Sequence, residues 1–559
     1  MHADAARSSC EAHHRLDSAN SNAAERRKSI LVASVEATLP ERRYETAVIA
    51  TLLILIGVRL ACAALTPLSF DESLYWLWSK HIAGGYLSHP PINPILIRLG
   101  TTLFGNTEFG VRAFGVLLAL PAGWAVWRSA AILFDDEKVG ATAALYFNLT
   151  LVMAAGSVIA TPDNPVVAAT AFLLLTLVKL FETGRGVWWL AIGVAFGIGM
   201  LAKYTTIFFA VSILVWLLLV PHLRKWLLTF WPWIAGAIAL AVFSPTLIWN
   251  AQHGWASVIY QYRRLVVDEW TLRYFGEFFV TQMGLATPPV FVLGVIGLIG
   301  LLRGAGGSLG ARVLINAMVW PIVIYFIWHT FHGRVEGNWP EPIYVAFAIA
   351  AAVAVEKIKW NGVWAPISRW SQRLAVPVGL GMAACIYLQA VFGFIPLGRI
   401  DPTARALGAG WKELGSKIDD MRMQLGAPIV LTSNYGLTGW LAFYLPSHAP
   451  VEQINERIWY MNAPEPDPAL FRGTMMFVGI ANYPELPLIR QRFRTVELVA
   501  SVTRARHGIP IQNYEIYRVS GPIGAALDPL SLTAQSPNEP TKPWQDRSEK
   551  LMPEPSDAH

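Results

Sequence analysis

Charge is scarce in this sequence. Only 15% of its 559 residues are charged, against 54% hydrophobic, where a soluble domain carries about a quarter charged. The charges sit in short polar hinges between apolar blocks of membrane-crossing length, which excludes a string of soluble domains and predicts a polytopic α-helical membrane protein. Cysteine is nearly absent. Cys10, Cys62 and Cys385 are the whole complement, with no CxxC and no His–Cys pairing, so neither a disulfide framework nor a thiolate metal site is expected. There is no P-loop and no GxGxxG between a strand and a helix, and no internal repeat. The first forty residues lack a short apolar core followed by small residues, so they read as a retained tail before a first membrane helix. The net charge of +6 comes from basic residues in short loops and reflects topology; no nucleic-acid partner is expected.

What the chain does have is apolar segments, at about 46–65, 108–127, 139–158, 165–181, 187–202, 205–220, 229–248, 278–302, 313–331, 339–355 and 374–395, each near the ~20 residues that cross a bilayer. These predict about 11 spans. Arg26, Arg27, Lys28, Arg42 and Arg43 precede the first and put the N-terminus in the cytoplasm. Alternating from there, the inner hinges hold Arg128, Lys138, Arg185, Arg224, Lys225, Arg303, Arg312, Lys357, Lys359, Arg369 and Arg373. Residues 1–44 are then a cytoplasmic tail and 45–396 a transmembrane domain. Residues 397–522 mix a helical run, GWKELGSKIDDMRMQL, with strand-like PIVLTS, GTMMFVGI, RTVELVASV and NYEIYRV, which predicts a small α/β domain on the outer side. The Pro- and Glu-rich stretch 523–559 reads as a disordered tail.

The outer hinges collect a different set of residues. The first, SFDESLYWLWSKHIAGGYLSHPP, holds Asp71, Glu72, Lys80, His81 and His89; ATPDNP holds Asp163, and LAKYT holds Lys203 and Tyr204. A long aromatic loop follows, then HGRVEGNWPEP with His332, Arg334, Glu336, Asn338 and Trp339. Each has a plainer reading. Ser69 and Glu72 fit a capping box, Asp71 suits a helix dipole, and Asp163 a turn. Lys203 can snorkel, and Trp76 and Trp78 fit an interfacial belt. Arg59, inside the first span, needs a partner, with Asp71 or Asp163 as candidates. The convergence on one face singles that face out.

Carboxylates with cations at a bilayer surface suit transfer of a sugar from a polyprenyl phosphate. A carboxylate takes the acceptor proton, and positive charge from Lys203, Arg334 or His89 meets the departing phosphate. An apolar span, FDESLYW, SHPP, TPDNP, LAKYT and a late W-P, in this order over about residues 45–350, resemble the GT-C membrane glycosyltransferases. The group concerned holds the protein O-mannosyltransferases (glycosyltransferase family 39) and the lipid A aminoarabinose transferases. The resemblance implies that Asp71 is the acid central to catalysis, as base or its organiser, with Glu72 its neighbour. Asp163 then organises the site or, with Asp71, a divalent metal. Lys203 and Tyr204 lie at the carrier phosphate, which Arg334, Asn338 and Trp339 approach from the late loop. Two positions depart from the pattern: Leu74 stands where aminoarabinose transferases have arginine, and His89 where they have lysine.

The implied activity is a periplasmic-face transfer in the cell inner membrane. Its donor is a polyprenyl-phosphate-linked hexose, uronate or pentose, and its acceptor an envelope lipid, glycan or protein. Lipid A or the lipopolysaccharide core comes first and protein Ser/Thr second; no cofactor beyond a metal is expected. The rival reading is a transporter or flippase for a lipid-linked sugar, which places its charges near the midplane on internally symmetric broken helices.

Overall fold

The computed structural model describes residues 43–265, 270–481 and 485–530. Of the expected tails, 1–44 and 523–559, residues 1–42 and 531–559 lie outside the described residues. Two units are distinguished, Met1–Ile54 and Leu55–His559; the first helix, α1 (Arg43–Leu65), runs from one into the other. The hinges, the remaining helices and the C-terminal region all belong to the second.

Every apolar segment expected to cross the membrane contains a helix, but eleven straight spans do not result. Among the described residues six helices are long and apolar enough to cross alone, and nine spans are reached if three bent pairs count as one each. The bends have local causes. Helix Arg273–Leu285 meets Pro288–Leu302 at 106°, because Pro288 and Pro289 cannot continue a helix and Thr287, at φ 66, turns the chain. Pro221 likewise breaks the segment after Leu219, with a bend of 118°. The Tyr344–Glu356 helix has 13 residues and is buried from Tyr344 to Ala354. At 1.5 Å per residue it is about 20 Å long, short of a ~30 Å hydrocarbon core. It is apolar all round because it is packed on every side.

Basic residues of two hinges find acids within reach: Arg128 pairs with Glu137 inside one hinge, and Lys138 with Glu356 and Lys357 with Asp136 join that hinge to the one after the Tyr344–Glu356 helix. Arg59 corrects an expectation. It donates to the side-chain oxygen of Asn148 and to the Asn148 carbonyl, both at 2.9 Å, and its partner is neither Asp71 nor Asp163. An amide and a carbonyl, already at the right depth in the bundle, take the place of a carboxylate.

Past the first span lie α2 (Phe70–Lys80) and α3 (Ile92–Phe104). Gly100 of α3 lets the Glu108–Leu117 helix approach; a Cβ there would stand 2.0 Å from the Gly110 carbonyl oxygen.

The C-terminal region is the expected α/β unit. Strands β1 (Val430–Thr432), β2 (Val451–Gln453), β3 (Met475–Ile480), β4 (Phe493–Arg506) and β5 (Ile509–Pro522) form one sheet in the order β2-β1-β3-β5-β4. β1 runs parallel to β2 and β3, and β5 is antiparallel to β3 and β4. All four strand-like runs are strands; only three-residue β2 was illegible. Residues 523–530, assigned to the tail, instead continue the domain. Ala526 is buried, Asp528 pairs with Arg492, and its carbonyl accepts from Arg457.

This domain is fastened to the base of α2. Tyr444 accepts from the Leu68 N–H, Trp440 donates to the Leu68 carbonyl, and Gly408 N–H donates to that same oxygen. Gly439 makes the closest approach: a Cβ there would meet Ser73 Oγ at 2.4 Å.

Candidate active site

Two adjacent acids open α2, and they do different things. Ser69 is the N-cap and Glu72 closes a capping box with it, satisfying two orphan N–H groups reciprocally. The Glu72 carboxylate also accepts from Arg112 Nε and Nη2, both at 2.7 Å, and from the Ala160 N–H at 2.7 Å. Both partners of this pair are fully inaccessible. Arg112 spends its remaining donors on the carbonyls of Ala63, Thr66 and Pro67 and on Thr66 Oγ1. One bidentate pair thus ties the end of α1, the start of α2 and the loop before Asp163 together. Glu72 is a positioning residue, with no lone pair left for chemistry.

Asp71 is the opposite case. Its one hydrogen-bond partner among the described residues is Tyr435 of the C-terminal domain, whose hydroxyl lies 3.4 Å from Oδ1. Among those residues no arginine or lysine pairs with it as Arg112 does with Glu72. Burial pushes its carboxyl up to about 7; the Tyr435 contact opposes that, and Glu72, Glu336 and Asp163 add to it. The side chain still keeps some accessible surface, as a group lining a cleft does. A carboxyl titrating near neutrality suits a general base.

Asp163 starts the Asp163–Thr183 helix. Its Oδ1 accepts from Lys203 Nζ at 2.5 Å and its Oδ2 from Asn338 Nδ2 at 2.7 Å; Lys203 also reaches the Asn338 carbonyl at 3.3 Å. Lys203 stands in extended backbone just past the Trp188–Ala202 helix, so its side chain leaves the helix and turns inward. Asp163, Lys203 and Asn338 come from three separate hinges and form one lock, with Asp163 and Lys203 buried and Asn338 at its exposed edge. Asp71 and Asp163 lie within electrostatic reach of each other and of Tyr75.

The remaining expected residues divide. His89 packs edge-on against Tyr75 at 5.9 Å, and burial beside Lys203 drives its pKa down to about 3. It is therefore neutral and does not supply the positive charge expected of it. Trp339 lies under the Arg264 guanidinium, 4.5 Å from the ring centroid, and Tyr204 follows Lys203 with its ring on Phe243. Arg334 is 39% exposed and pairs with Glu277 at 2.7 Å; its charge is already answered there.

Four residues escaped the sequence reading: Arg112, Tyr435, Arg264 and Glu341. Arg112 carried a usable signal, an ionisable group inside an apolar segment. Arg264, in the last turn of the Ala256–Leu265 helix, lies within electrostatic reach of His89 and Tyr75. Glu341 is 3% exposed, one turn beyond Asn338. Tyr435 had no signal, since only the docked domain brings it to Asp71.

A divalent metal at Asp71 and Asp163 does not fit this arrangement. Both Asp163 oxygens are occupied by Lys203 and Asn338, and no three His, Cys, Asp or Glu side chains are grouped to hold a metal among the described residues.

Comparison with known proteins adds to the geometry. Residues 88–249 match the family described as dolichyl-phosphate-mannose-protein mannosyltransferase. The lipid A galacturonosyltransferase RgtD of Rhizobium johnstonii is 27% identical over 391 residues, 68% of this chain and 78% of that protein. ArnT from Cupriavidus metallidurans, solved bound to undecaprenyl phosphate, superposes with a TM-score of 0.59 at 15% identity, covering 87% of this chain and 99% of that one. Its apo form gives 0.57 at 14% identity, covering 86% and 98%. The chain resembles the GT-C membrane glycosyltransferases of the protein O-mannosyltransferase and lipid A aminoarabinose transferase group, in sequence over residues 88–249 and in fold over most of its length.

Proposed function

We propose that the protein is a membrane glycosyltransferase that moves a sugar from a polyprenyl phosphate to an envelope acceptor, lipid A or the lipopolysaccharide core before protein Ser/Thr. The observation that carries this is the contrast within one site: Asp71 without a cation partner among the described residues, beside the locked Asp163–Lys203–Asn338 group. The relative that acts on lipid A and the neighbour solved with undecaprenyl phosphate support the choice of acceptor and carrier. In this reading the site and the C-terminal domain face the periplasm, with the N-terminus in the cytoplasm of a cell whose inner membrane holds the protein.

Asp71 takes the proton of the acceptor hydroxyl as the oxygen attacks the anomeric carbon. The bond from that carbon to the phosphate oxygen breaks, and the phosphate leaves with the electron pair. Attack opposite the leaving group inverts the centre. Lys203 and Arg264 stabilise the charge that develops on the phosphate. Asp163 holds Lys203 in place, and the neutral His89 ring offers a hydrogen bond rather than a charge.

Lys203→Ala removes both the phosphate contact and the partner of Asp163, and transfer falls by about 10²-fold or more. It is measured in proteoliposomes with a polyprenyl phosphate sugar and lipid A; wild-type rates in that variant would remove Lys203 from the phosphate. Mass spectrometry of envelope lipids and glycoproteins, with and without the gene, names donor and acceptor from the missing sugar mass. No missing sugar mass in either fraction would end the reading.

The pH profile is a further test. Below about 7 the protonated form of Asp71 grows, so log kcat/KM rises with unit slope toward pH 7 and levels above it. The stability sign runs the other way. The unfolded carboxyl titrates near ~3.9, so between roughly 4 and 7 the folded state binds the extra proton, and the Asp71 contribution to stability falls as pH rises. Titration of Asp71 itself therefore lowers activity at pH 5.5 without destabilising the fold, and that part of the loss reverses on return to neutral pH. A flat profile from 5.5 to 8 would exclude Asp71 as the base.

A further inference from the structure

A cavity of about 360 Å³ opens between α2 and the C-terminal domain, with Trp78, Tyr86, Glu452, Arg457, Trp459 and Glu465 among its lining residues. This size lies in the range of small-ligand sites. One wall is aromatic. Trp78 stacks on Tyr86 with centroids 4.6 Å apart and planes 10° apart, and on Trp459 at 6.5 Å and 19°. The stacked rings are held by one another, with Trp78 3%, Tyr86 1% and Trp459 9% exposed, and they give the cavity a rigid apolar wall against which a pyranose can lay its C–H groups.

The opposite lining is polar and acidic. Arg457, 3% exposed, is held by Glu452 at 3.6 Å and Glu465 at 2.8 Å, and Asp467 lies beside them in the same lining. Two carboxyl groups meet one guanidinium, and a third, Asp467, shares the lining. Burial lifts Glu452 to about 7, and the surplus is negative even with that group protonated. Two buried donors here, Arg457 Nε and Trp459 Nε1, have no partner among the described residues. An aromatic wall with carboxyl and guanidinium groups around it can bind the hydroxyls of a sugar, while the negative surplus repels a phosphate.

The cavity borders the candidate active site without being part of it. Trp459 is the shared wall: its ring also packs on Tyr435 at 4.9 Å and Tyr260 at 5.8 Å, and Tyr435 touches Asp71. Trp78 and Asp71 lie seven residues apart on one face of α2, about 10 Å along the helix. That is the separation of different rings of an oligosaccharide, not of atoms within the reacting ring.

We infer that this cavity is an acceptor subsite, binding an uncharged pyranose unit of the acceptor glycan one or more rings from the hydroxyl that reacts at Asp71. The inference rests on the glycosyl-transfer reading and deepens it. Binding energy from a remote ring fixes the reacting hydroxyl against the base.

The test uses full-length protein in lipid nanodiscs. Equilibrium binding is measured with a radiolabelled β-1,6-linked N-acetylglucosamine disaccharide and with its phosphorylated form. Wild type binds the uncharged disaccharide saturably and the phosphorylated form at least about tenfold more weakly. Trp459→Leu loses about tenfold in disaccharide binding and raises acceptor KM in the transfer assay by a similar factor, with kcat within about twofold. Glu465→Arg, a rim change that leaves the aromatic wall intact, narrows the preference against phosphate several-fold. No saturable binding in wild type, equal binding of the two forms, or an unchanged Trp459→Leu would overturn the subsite. Disaccharide binding without transfer keeps the subsite and removes the proposed function. Transfer with unaltered acceptor KM in both variants does the reverse.

Discussion

Asp71→Asn yields a folded, inserted protein whose transfer rate falls by about 10²–10⁴-fold, the range that a positioned general base contributes. The fold survives because Asp71 holds nothing up. Its one partner among the described residues is a long contact from Tyr435, which an amide oxygen accepts equally well. Removing a carboxyl that burial already pushes up to about 7 also relieves a desolvation cost, so thermal stability stays equal or rises slightly. The measurement is twofold: transfer to lipid A in proteoliposomes, and the unfolding midpoint of the same preparation. Activity within a few-fold of wild type would end the assignment of Asp71 as base.

Glu72→Ala and Arg112→Ala lose the protein itself. Each leaves a fully buried charge without its partner, which costs about 3–5 kcal/mol, a large share of the margin of a folded protein. The expected result is a large fall in the amount of monodisperse protein recovered from membranes. Arg112→Lys fails almost as badly, because an ammonium cannot reproduce the fork that serves Glu72 and three carbonyls at once. In the double variant Glu72→Gln with Arg112→Met part of the yield returns, since no isolated charge remains. Full recovery of stable, inactive protein from Glu72→Ala alone would show that Glu72 acts in the chemistry and not in the fold.

The two predictions concern neighbouring residues with the same functional group, and they differ because of the surroundings. At the third helical position Glu72 points back to the N-cap and meets Arg112 from the Glu108–Leu117 helix. Asp71, one residue earlier, points about 100° away around the helix, toward Tyr435. The capping box was readable in S-F-D-E, yet Glu72 was expected beside Asp71 among the catalytic residues; its capping box and its pair with Arg112 make it a positioning residue instead. Whether a cation waits for either acid was not readable, because Arg112 is 40 residues from Glu72. The lock of Asp163, Lys203 and Asn338 shows the reverse. All three were candidates from hinge position alone, and the fold brings them into contact.

Composition and hydropathy determined by themselves that this is a helical membrane protein with an α/β unit at its end. They also placed the acids and bases of the candidate site in the hinges, since partition into lipid is a local property of some twenty residues at a time. Only the tertiary structure decided which carboxyl is paired and which is left to titrate, that His89 is neutral, and that Arg59 rests on Asn148. It alone brought Tyr435 across 364 positions to Asp71. The reason is physical: charge state and hydrogen-bond partners depend on what surrounds a group in space, and here the neighbours come from segments remote in sequence.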